Sequence, residues 1–448
     1  MVKLPPQVKK ALRMLRRNGF EAYIIGGCVR DRLLGEQPKD YDITTSAHPE
    51  ETERVFEGFR VIETGIKHGT VTVLIDEMPL EITTYRIDSD YVDNRHPESV
   101  TFTKDLREDT ARRDFTMNAV AVDENGAIVD FHGGREDIER RIIRCVGDPD
   151  KRFGEDALRI LRAVRFSSVL GFEIEQRTKE AVFSNKELLK NISSERIASE
   201  LLKLVCGKNA RSVIVEYIDV LSVVIPELAA MKGFDQHNFH HIYDVLEHTA
   251  AAVENTPADS PVLRLAALFH DVGKPLCFSM KDGVGHFYGH ASVGADMTNA
   301  ILSRLKLDNA TRETVVKLIK LHDVQIEETE TAVKRCMNRH TPEIFFLLLQ
   351  LKKADTLALA PKWAVRCEYL DRLKKTAEDI LSRKECFSMK QLAVNGRDLI
   401  TIGYAPGKEL GLCLSDMLER VISGELANER DSLIGFARSR LCQEAGRR

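Results

Sequence analysis

The chain has 448 residues, 43% of them hydrophobic, and a net charge of −4 from 65 basic and 69 acidic side chains. That composition supports several cores, yet no apolar run approaches the roughly 20 residues a membrane-spanning helix needs. Nine cysteines, an odd number with no C-x-x-C pair, argue against a disulfide framework or zinc ribbon and for a reducing cytoplasm.

Alternating strands and helices are predicted up to about Glu139, and helical periodicity thereafter. Clusters such as Lys9-Lys10 and Arg16-Arg17 give the local positive charge that phosphate contacts need, despite the acidic total. An apolar strand, Tyr23 to Ile25, runs into Gly26-Gly27 and a helix from Val29 to Leu34. A turn of this kind can hold phosphate on the N–H groups that open the helix, and Arg30 adds a fixed charge. Asp40 and Asp42 follow; on a strand they would share a face and grip the same pair of divalent ions. Two Mg²⁺ ions about 3.5–4 Å apart suit nucleotidyl transfer, activating a hydroxyl and neutralising a leaving pyrophosphate.

Val71 to Ile75 and Leu80 to Arg86 are predicted as adjacent strands, with Glu81 set among β-branched residues. Buried there, Glu81 is costly unless a metal meets it; the competing reading is an edge-strand Glu in water. The polar segment from Asp88 to Glu98 reads as a mobile loop. In the block Arg112 to Ala119 (Arg-Arg-Asp-Phe-Thr-Met-Asn-Ala), Arg113 suits a triphosphate oxygen, and a salt-bridged strand entrance is the plainer alternative.

Glu155-Asp156-Ala157-Leu158-Arg159 permits an argument about bases. An acceptor-only Asp156 beside a donor-only Arg159 fits the edges of cytosine and adenine and rejects uracil and guanine. The two are expected at i and i+3 on one helix running to Phe166, with Arg162 and Arg165 continuing the series. A surface helix laced with ion pairs is the alternative.

In that order these motifs, with Asp130 to Asp137 (Asp-Phe-His-Gly-Gly-Arg-Glu-Asp) and Ser194-Glu195-Arg196-Ile197, resemble the five motifs of class II tRNA nucleotidyltransferases. That family comprises bacterial CCA-adding enzymes and their poly(A) polymerase relatives. The likeness extends to Asn395-Gly396-Arg397-Asp398-Leu399 and to Gly403 through Gly411, which look like the family's tail segment. It implies catalytic Asp40, Asp42 and Glu81, and nucleotide contacts from Gly26, Gly27, Arg30, Arg113, Asp156, Arg159, Arg162 and Arg165. A full-length loop after the third carboxylate accompanies addition of the final A in the family.

Eight of the thirteen histidines lie between His237 and His322. His248, then His270-Asp271-Val272-Gly273-Lys274, then His322-Asp323 resemble the HD phosphohydrolase superfamily. This second resemblance implies His248, His270, Asp271 and Asp323 as ligands of one divalent ion. His290 and His322 could serve a second ion, with a surface or helix-capping role as the alternative for each. His237, His240 and His241 read as surface or substrate-facing. Imidazole ligands favour a transition metal such as Mn²⁺, Ni²⁺ or Fe²⁺ over Mg²⁺.

The expected fold is α+β: a polymerase β-like mixed α/β nucleotidyltransferase head (1–139), an all-helical neck with the base-reading motif (140–225), an HD body (226–340) and a helical, tRNA-binding tail (341–448). Breaks at Gly147-Asp148-Pro149, Pro226 and His340-Thr341-Pro342 mark the boundaries. The expected activity is template-independent addition of CCA to the tRNA 3′ end from CTP and ATP, with Mg²⁺ in the head, a divalent transition metal in the body, and no membrane partner. Three rivals stand beside it: an A-adding tRNA nucleotidyltransferase, a bacterial poly(A) polymerase, and an RNA-binding platform in which only the HD domain is catalytic.

Overall fold

A computed structural model describes residues 2–65, 69–88, 100–238 and 242–445. Most of the loop expected from Asp88 to Glu98, together with His240 and His241, lies outside the described residues. Packing divides the chain into two compact units, Met1–Lys232 with Ile301–Leu307, and Gly233–Ala300 with Asp308–Arg448.

The first unit opens with α1 (Pro6–Arg17), β1 (Ala22–Ile25), α2 (Gly27–Leu33), β2 (Asp42–Thr45), α3 (Pro49–Val55), β3 (Arg60–Gly65), β4 (Thr70–Ile75) and β5 (Met78–Thr84). A hairpin of β6 (Arg86–Asp88) and β7 (Val100–Phe102) follows, then α4 (Leu106–Ala111), β8 (Ala121–Val122), β9 (Ile128–Val129) and α5 (Gly134–Arg140). Seven strands form one sheet in the order β3-β4-β5-β2-β1-β8-β9. Strand β2 runs antiparallel to β1 and parallel to β5. Alternation sets the buried face: Val71, Val73 and Ile75 of β4 and Leu80, Ile82 and Thr84 of β5 point inward. Helix α1 starts at a proline and buries Val8, Ala11, Leu12 and Leu15 along one stripe.

The remainder of this unit is helical apart from one short parallel pair, β10 (Ile142–Ile143) with β11 (Glu173–Ile174). Its helices are α6 (Pro149–Glu155), α7 (Leu158–Leu170), α8 (Gln176–Ser184), α9 (Ser194–Val205), α10 (Ala210–Glu216) and α11 (Ile218–Val224). The break expected at Gly147 is a helix start, where the Asp148 side chain accepts the Asp150 N–H and Pro149 takes the first turn. Pro226 opens a short 3₁₀ turn, and the unit continues to Lys232. Head and neck thus pack as one body, and so do the expected HD body and tail.

The second unit contains α12 (Val245–Glu254), α13 (Pro261–Phe269), α14 (Lys274–Cys277), the hairpin β12 (Ser279–Lys281) and β13 (Val284–His286), and α15 (His290–Arg304). It continues with α16 (Asn309–Leu321), α17 (Glu330–His340), α18 (Pro342–Leu357), α19 (Arg366–Ser382), α20 (Gly396–Thr401), α21 (Lys408–Ser423) and α22 (Arg430–Ala445). Leu265 to Phe269 of α13 are all buried, which makes this helix the centre of the body. Leu399, Cys413, Met417, Leu433 and Ala437 form a separate small core under α20, α21 and α22. Ile301 to Leu307, at the end of α15, belong to the first unit, where Ile301, Leu302 and Leu305 are buried. There Arg304 makes a bidentate pair with Glu227 and Lys306 pairs with Glu195. Among the described residues no helix is long and apolar enough to cross a membrane, and the cysteines are free thiols.

Candidate active site and a second histidine–aspartate cluster

Register brings the carboxylates of the first unit together. Ile25, Asp42 and Glu81 lie side by side across β1, β2 and β5. Asp40 is exposed in the bend just before β2, not on the strand as expected, so the strand-face argument does not apply to it and Asp42 opens β2 alone. Burial pushes the Asp42 carboxyl up to about 6, Arg113 opposes that shift, and Asp40 and Glu81 add to it. Such a carboxyl gains most from a cation.

Gly26 occupies the left-handed region at φ +85°, and a Cβ there would lie 3.4 Å from Arg113 Nη1 and 3.5 Å from Asp42 Oδ2. At this turn the backbone carries no side chain, and a carboxylate and a guanidinium converge on it. Arg113 is largely buried, its Nη2 is 3.7 Å from Asp109, and its Nε has no hydrogen-bond partner among the described residues. An unsatisfied buried cationic donor is suited to an anion. Helix α2 has only seven residues, so positive charge here comes from arginines more than from a helix dipole. Arg30 is buried, donates to Asp31 Oδ1 through Nε and Nη2, and donates through Nη1 to Asn118 Oδ1 at 2.9 Å.

Three further arginines line the first turns of α7. Arg159 donates to Glu155 at 2.8 Å and to the carbonyl oxygens of Arg152 and Arg112. Arg162 forks onto Asp114 Oδ2 at 2.9 and 2.5 Å, and Arg165 donates to Glu200 at 2.8 Å. Asp114 is buried and also accepts from Asn118 and the Phe115 N–H. Burial works against its ionisation, but Arg162 and Asn118 outweigh burial and hold it well below the usual carboxylate range.

The second unit gathers five side chains from four helices and their ends. His248 stands on α12, His270 and Asp271 at the end of α13, His290 at the start of α15, and His322 at the end of α16. Each imidazole Nδ1 meets a backbone carbonyl, of Ala358, Ala267, Phe287 and Ile319 respectively. That bond assigns the proton to Nδ1 and turns Nε2 inward, the arrangement metal-ligating histidines adopt. Asp271 Oδ2 lies 3.4 Å from His248 Nε2 and 3.2 Å from His270 Nε2, while Oδ1 lies 3.5 Å from His290 Nε2 and 3.9 Å from His322 Nε2. Asp355, on α18, lies 2.9 Å from His248 Nε2 and 3.6 Å from His270 Nε2. Two groups, His248-His270-Asp271 and Asp271-His290-His322, have donor spacings that could each hold an ion. Burial lowers the pKa of His270, yet Asp271 and Asp355 outweigh it and push it up to about 10, whereas burial and His270 drive His322 down to about 3. A cavity of about 360 Å³ opens onto this cluster, and Lys274 reaches Asp271 Oδ2 at 2.7 Å.

Residues 22–144 match the poly(A) polymerase head domain, 171–232 an RNA- and SrmB-binding site of polymerase A, and 288–437 domain 2 of tRNA nucleotidyltransferase. A CCA-adding enzyme of Lactobacillus helveticus is 38% identical over 96% of this chain and 97% of its own length. The chain belongs to the CCA-adding enzyme family. The family's enzyme from Ligilactobacillus salivarius is 34% identical over 98% of both chains. The crystal structure of the Bacillus stearothermophilus CCA-adding enzyme in complex with CTP superposes with a TM-score of 0.74 at 30% identity, covering 99% of this chain and all of the other.

Within this family fold, three further sequence expectations need correction. Glu81 is exposed, because inward alternation of Leu80 and Ile82 turns it outward, and β5 is an interior strand. Asp156 is not on the helix of Arg159: it caps the end of α6 in an extended conformation, accepts the Leu158 N–H, and pairs with Arg196. Asp323 is exposed, although it lines the same cavity; the carboxylate that joins Asp271 at His248 and His270 is Asp355. No local signal singles out Asp355, which follows Gln350, Lys352 and Lys353 in the polar second half of α18. His290 and His322, left open between ligand and surface roles, are both buried in the cluster, while His237 is exposed.

Proposed function

We propose that the first unit adds CCA to the 3′ end of tRNA without a template, drawing on CTP and ATP. The observation that carries this reading is the convergence of Asp42, Arg113 and the side-chain-free Gly26 beside Glu81 and Asp40. Asp40, Asp42 and Glu81 would hold two Mg²⁺ ions, which when bound supply activation of the tRNA 3′-hydroxyl and charge neutralisation at the leaving pyrophosphate. Arg113 donates to a phosphate oxygen through its unpartnered Nε, with Arg30, Arg162 and Arg165 as further nucleotide contacts. Asp156 accepts from the exocyclic amine of C or A, and Arg159 donates to the neighbouring ring nitrogen. Mispaired groups would cost U or G about 1–3 kcal/mol each. The helical tail binds tRNA, and the free thiols accord with a cytoplasmic setting.

The experiment is nucleotide incorporation on tRNAs lacking CCA, CA or A. Growth of all three to CCA supports the reading. Extension of only the last identifies an A-adding enzyme, and runs of A on generic RNA identify a poly(A) polymerase.

The second unit supports a second activity of the HD type, hydrolysis of phosphomonoesters or 2′,3′-cyclic nucleotides. The inward-turned Nε2 atoms around Asp271 favour it. His248, His270, Asp271 and Asp355 fit a divalent transition metal, which when bound lowers the pKa of water to a usable nucleophile. Two readouts with purified protein and Mn²⁺ test it: release of inorganic phosphate from a phosphomonoester, and ring-opening of a 2′,3′-cyclic nucleotide to its monophosphate.

A further inference from the structure

Phe166 is buried on α7, and three guanidinium groups surround its ring. The Arg165 guanidinium carbon is 3.6 Å from the ring centroid, that of Arg30 5.2 Å and that of Arg162 5.4 Å. Phe115 meets the same ring edge-on at 5.8 Å. Each arginine has its own carboxylate, Asp31, Asp114 or Glu200, and these acids come from three different segments. The chain of bonds from Arg162 through Asp114 and Asn118 to Arg30 joins two of the three at their polar ends. The ring touches all three.

Three like charges close together repel, and the hydrogen-bond chain ties Arg162 to Arg30 but leaves Arg165 outside it. An aromatic ring carries negative charge on its faces, so it attracts each cation and gives them one common reference. A triphosphate needs donors at fixed separations, and donors held in advance bind it without the cost of ordering them. We infer that Phe166 is a positioning residue for nucleotide capture, holding Arg30, Arg162 and Arg165 in register for the phosphates common to CTP and ATP. The inference rests on the proposed nucleotide contacts of those arginines. Because it concerns phosphates, its effect is the same for both nucleotides and leaves discrimination against UTP and GTP unchanged.

The test replaces Phe166 with phenylalanines carrying one, two and three ring fluorines, which draw charge from the ring faces at nearly constant shape. We expect KM for CTP and for ATP to climb in step with fluorine number, reaching about tenfold, while kcat, tRNA affinity and the melting temperature stay close to parental values. Phe166→Leu should reach at least the same KM. A KM that is flat across the series, or that moves for only one nucleotide, overturns the inference and leaves Phe166 as core filling. Arg30→Ala, Arg162→Ala and Arg165→Ala separate the two levels. If these variants keep parental KM values, the nucleotide contacts themselves are wrong and the inference falls with them; if they raise KM while the fluorine series is flat, only the inference fails.

Discussion

Asp42 and Glu81 are cross-strand partners in the parallel pairing of β2 with β5. They differ sharply in surroundings, since Asp42 is half-buried beside Arg113 and Glu81 is exposed. The same pairing therefore sets a carboxylate whose ionisation burial opposes beside one that faces solvent.

Asp42→Asn should abolish addition of both C and A while tRNA affinity persists, and Glu81→Ala should give a smaller loss. The Asn variant should also be more stable in metal-free buffer. With a folded pKa of about 6 against an ordinary 3.8, the native state holds the proton more tightly, so stability falls as pH rises from about 4 to about 6. Removing the charge should recover about 1–2 kcal/mol at pH 7, after discounting for partial exposure, and nothing at pH 3.5. Thermal melts across this range check it; an Asn variant less stable than the parent at pH 7 would contradict the assignment.

Base choice is the second expectation. Asp156→Ala should relax exclusion of UTP and GTP by about tenfold or more with little change in triphosphate affinity. Arg159→Ala should do the same and also lower the melting temperature, because Arg159 ties Glu155 to two backbone carbonyls. Misincorporation assays with the four nucleotides decide; unchanged strictness in both variants places base reading elsewhere.

Asp114 is a stability determinant. Asp114→Ala leaves the partly exposed Arg162 guanidinium without its carboxylate and should cost about 2–3 kcal/mol, less than a fully buried pair. Replacing both, with Asp114→Leu and Arg162→Met, should recover much of that loss while nucleotide affinity stays low. Chemical denaturation of the two variants measures the difference.

For the second unit, Asp355→Ala should strip bound transition metal and phosphohydrolase activity, whereas Asp323→Ala should retain both. The paired change His270→Ala with Asp271→Ala should abolish hydrolysis and leave CCA addition near normal. Metal analysis on the purified variants is the check, and equal metal content in Asp355→Ala and the parent would exclude Asp355 as a ligand.

Local motifs were legible because local geometry carries them. A strand, a glycine turn and a carboxylate on the neighbouring strand can be read from short-range pattern, and Gly26, Asp42 and Arg113 do meet. Asp156 was misplaced because its own side chain competes for the Leu158 N–H and breaks the helix that spacing alone suggested. Asp323 was chosen because His322-Asp323 repeats the look of His270-Asp271. Both histidines bond the carbonyl three residues back, yet Asp271 is buried and Asp323 exposed. Asp355 becomes a partner only when α18 packs against α12 and α13, a long-range contact that no local pattern encodes.

The segment Ile301–Leu307 has a consequence for biosynthesis. Its buried Ile301, Leu302 and Leu305 and its pairs to Glu227 and Glu195 complete the first unit. A nascent chain that has emerged only to Lys232 still lacks them. A chain that stops anywhere from 233 to 300 therefore reaches its end without part of the packing of the nucleotidyltransferase half, and should be less stable in the half that lies upstream of the stop.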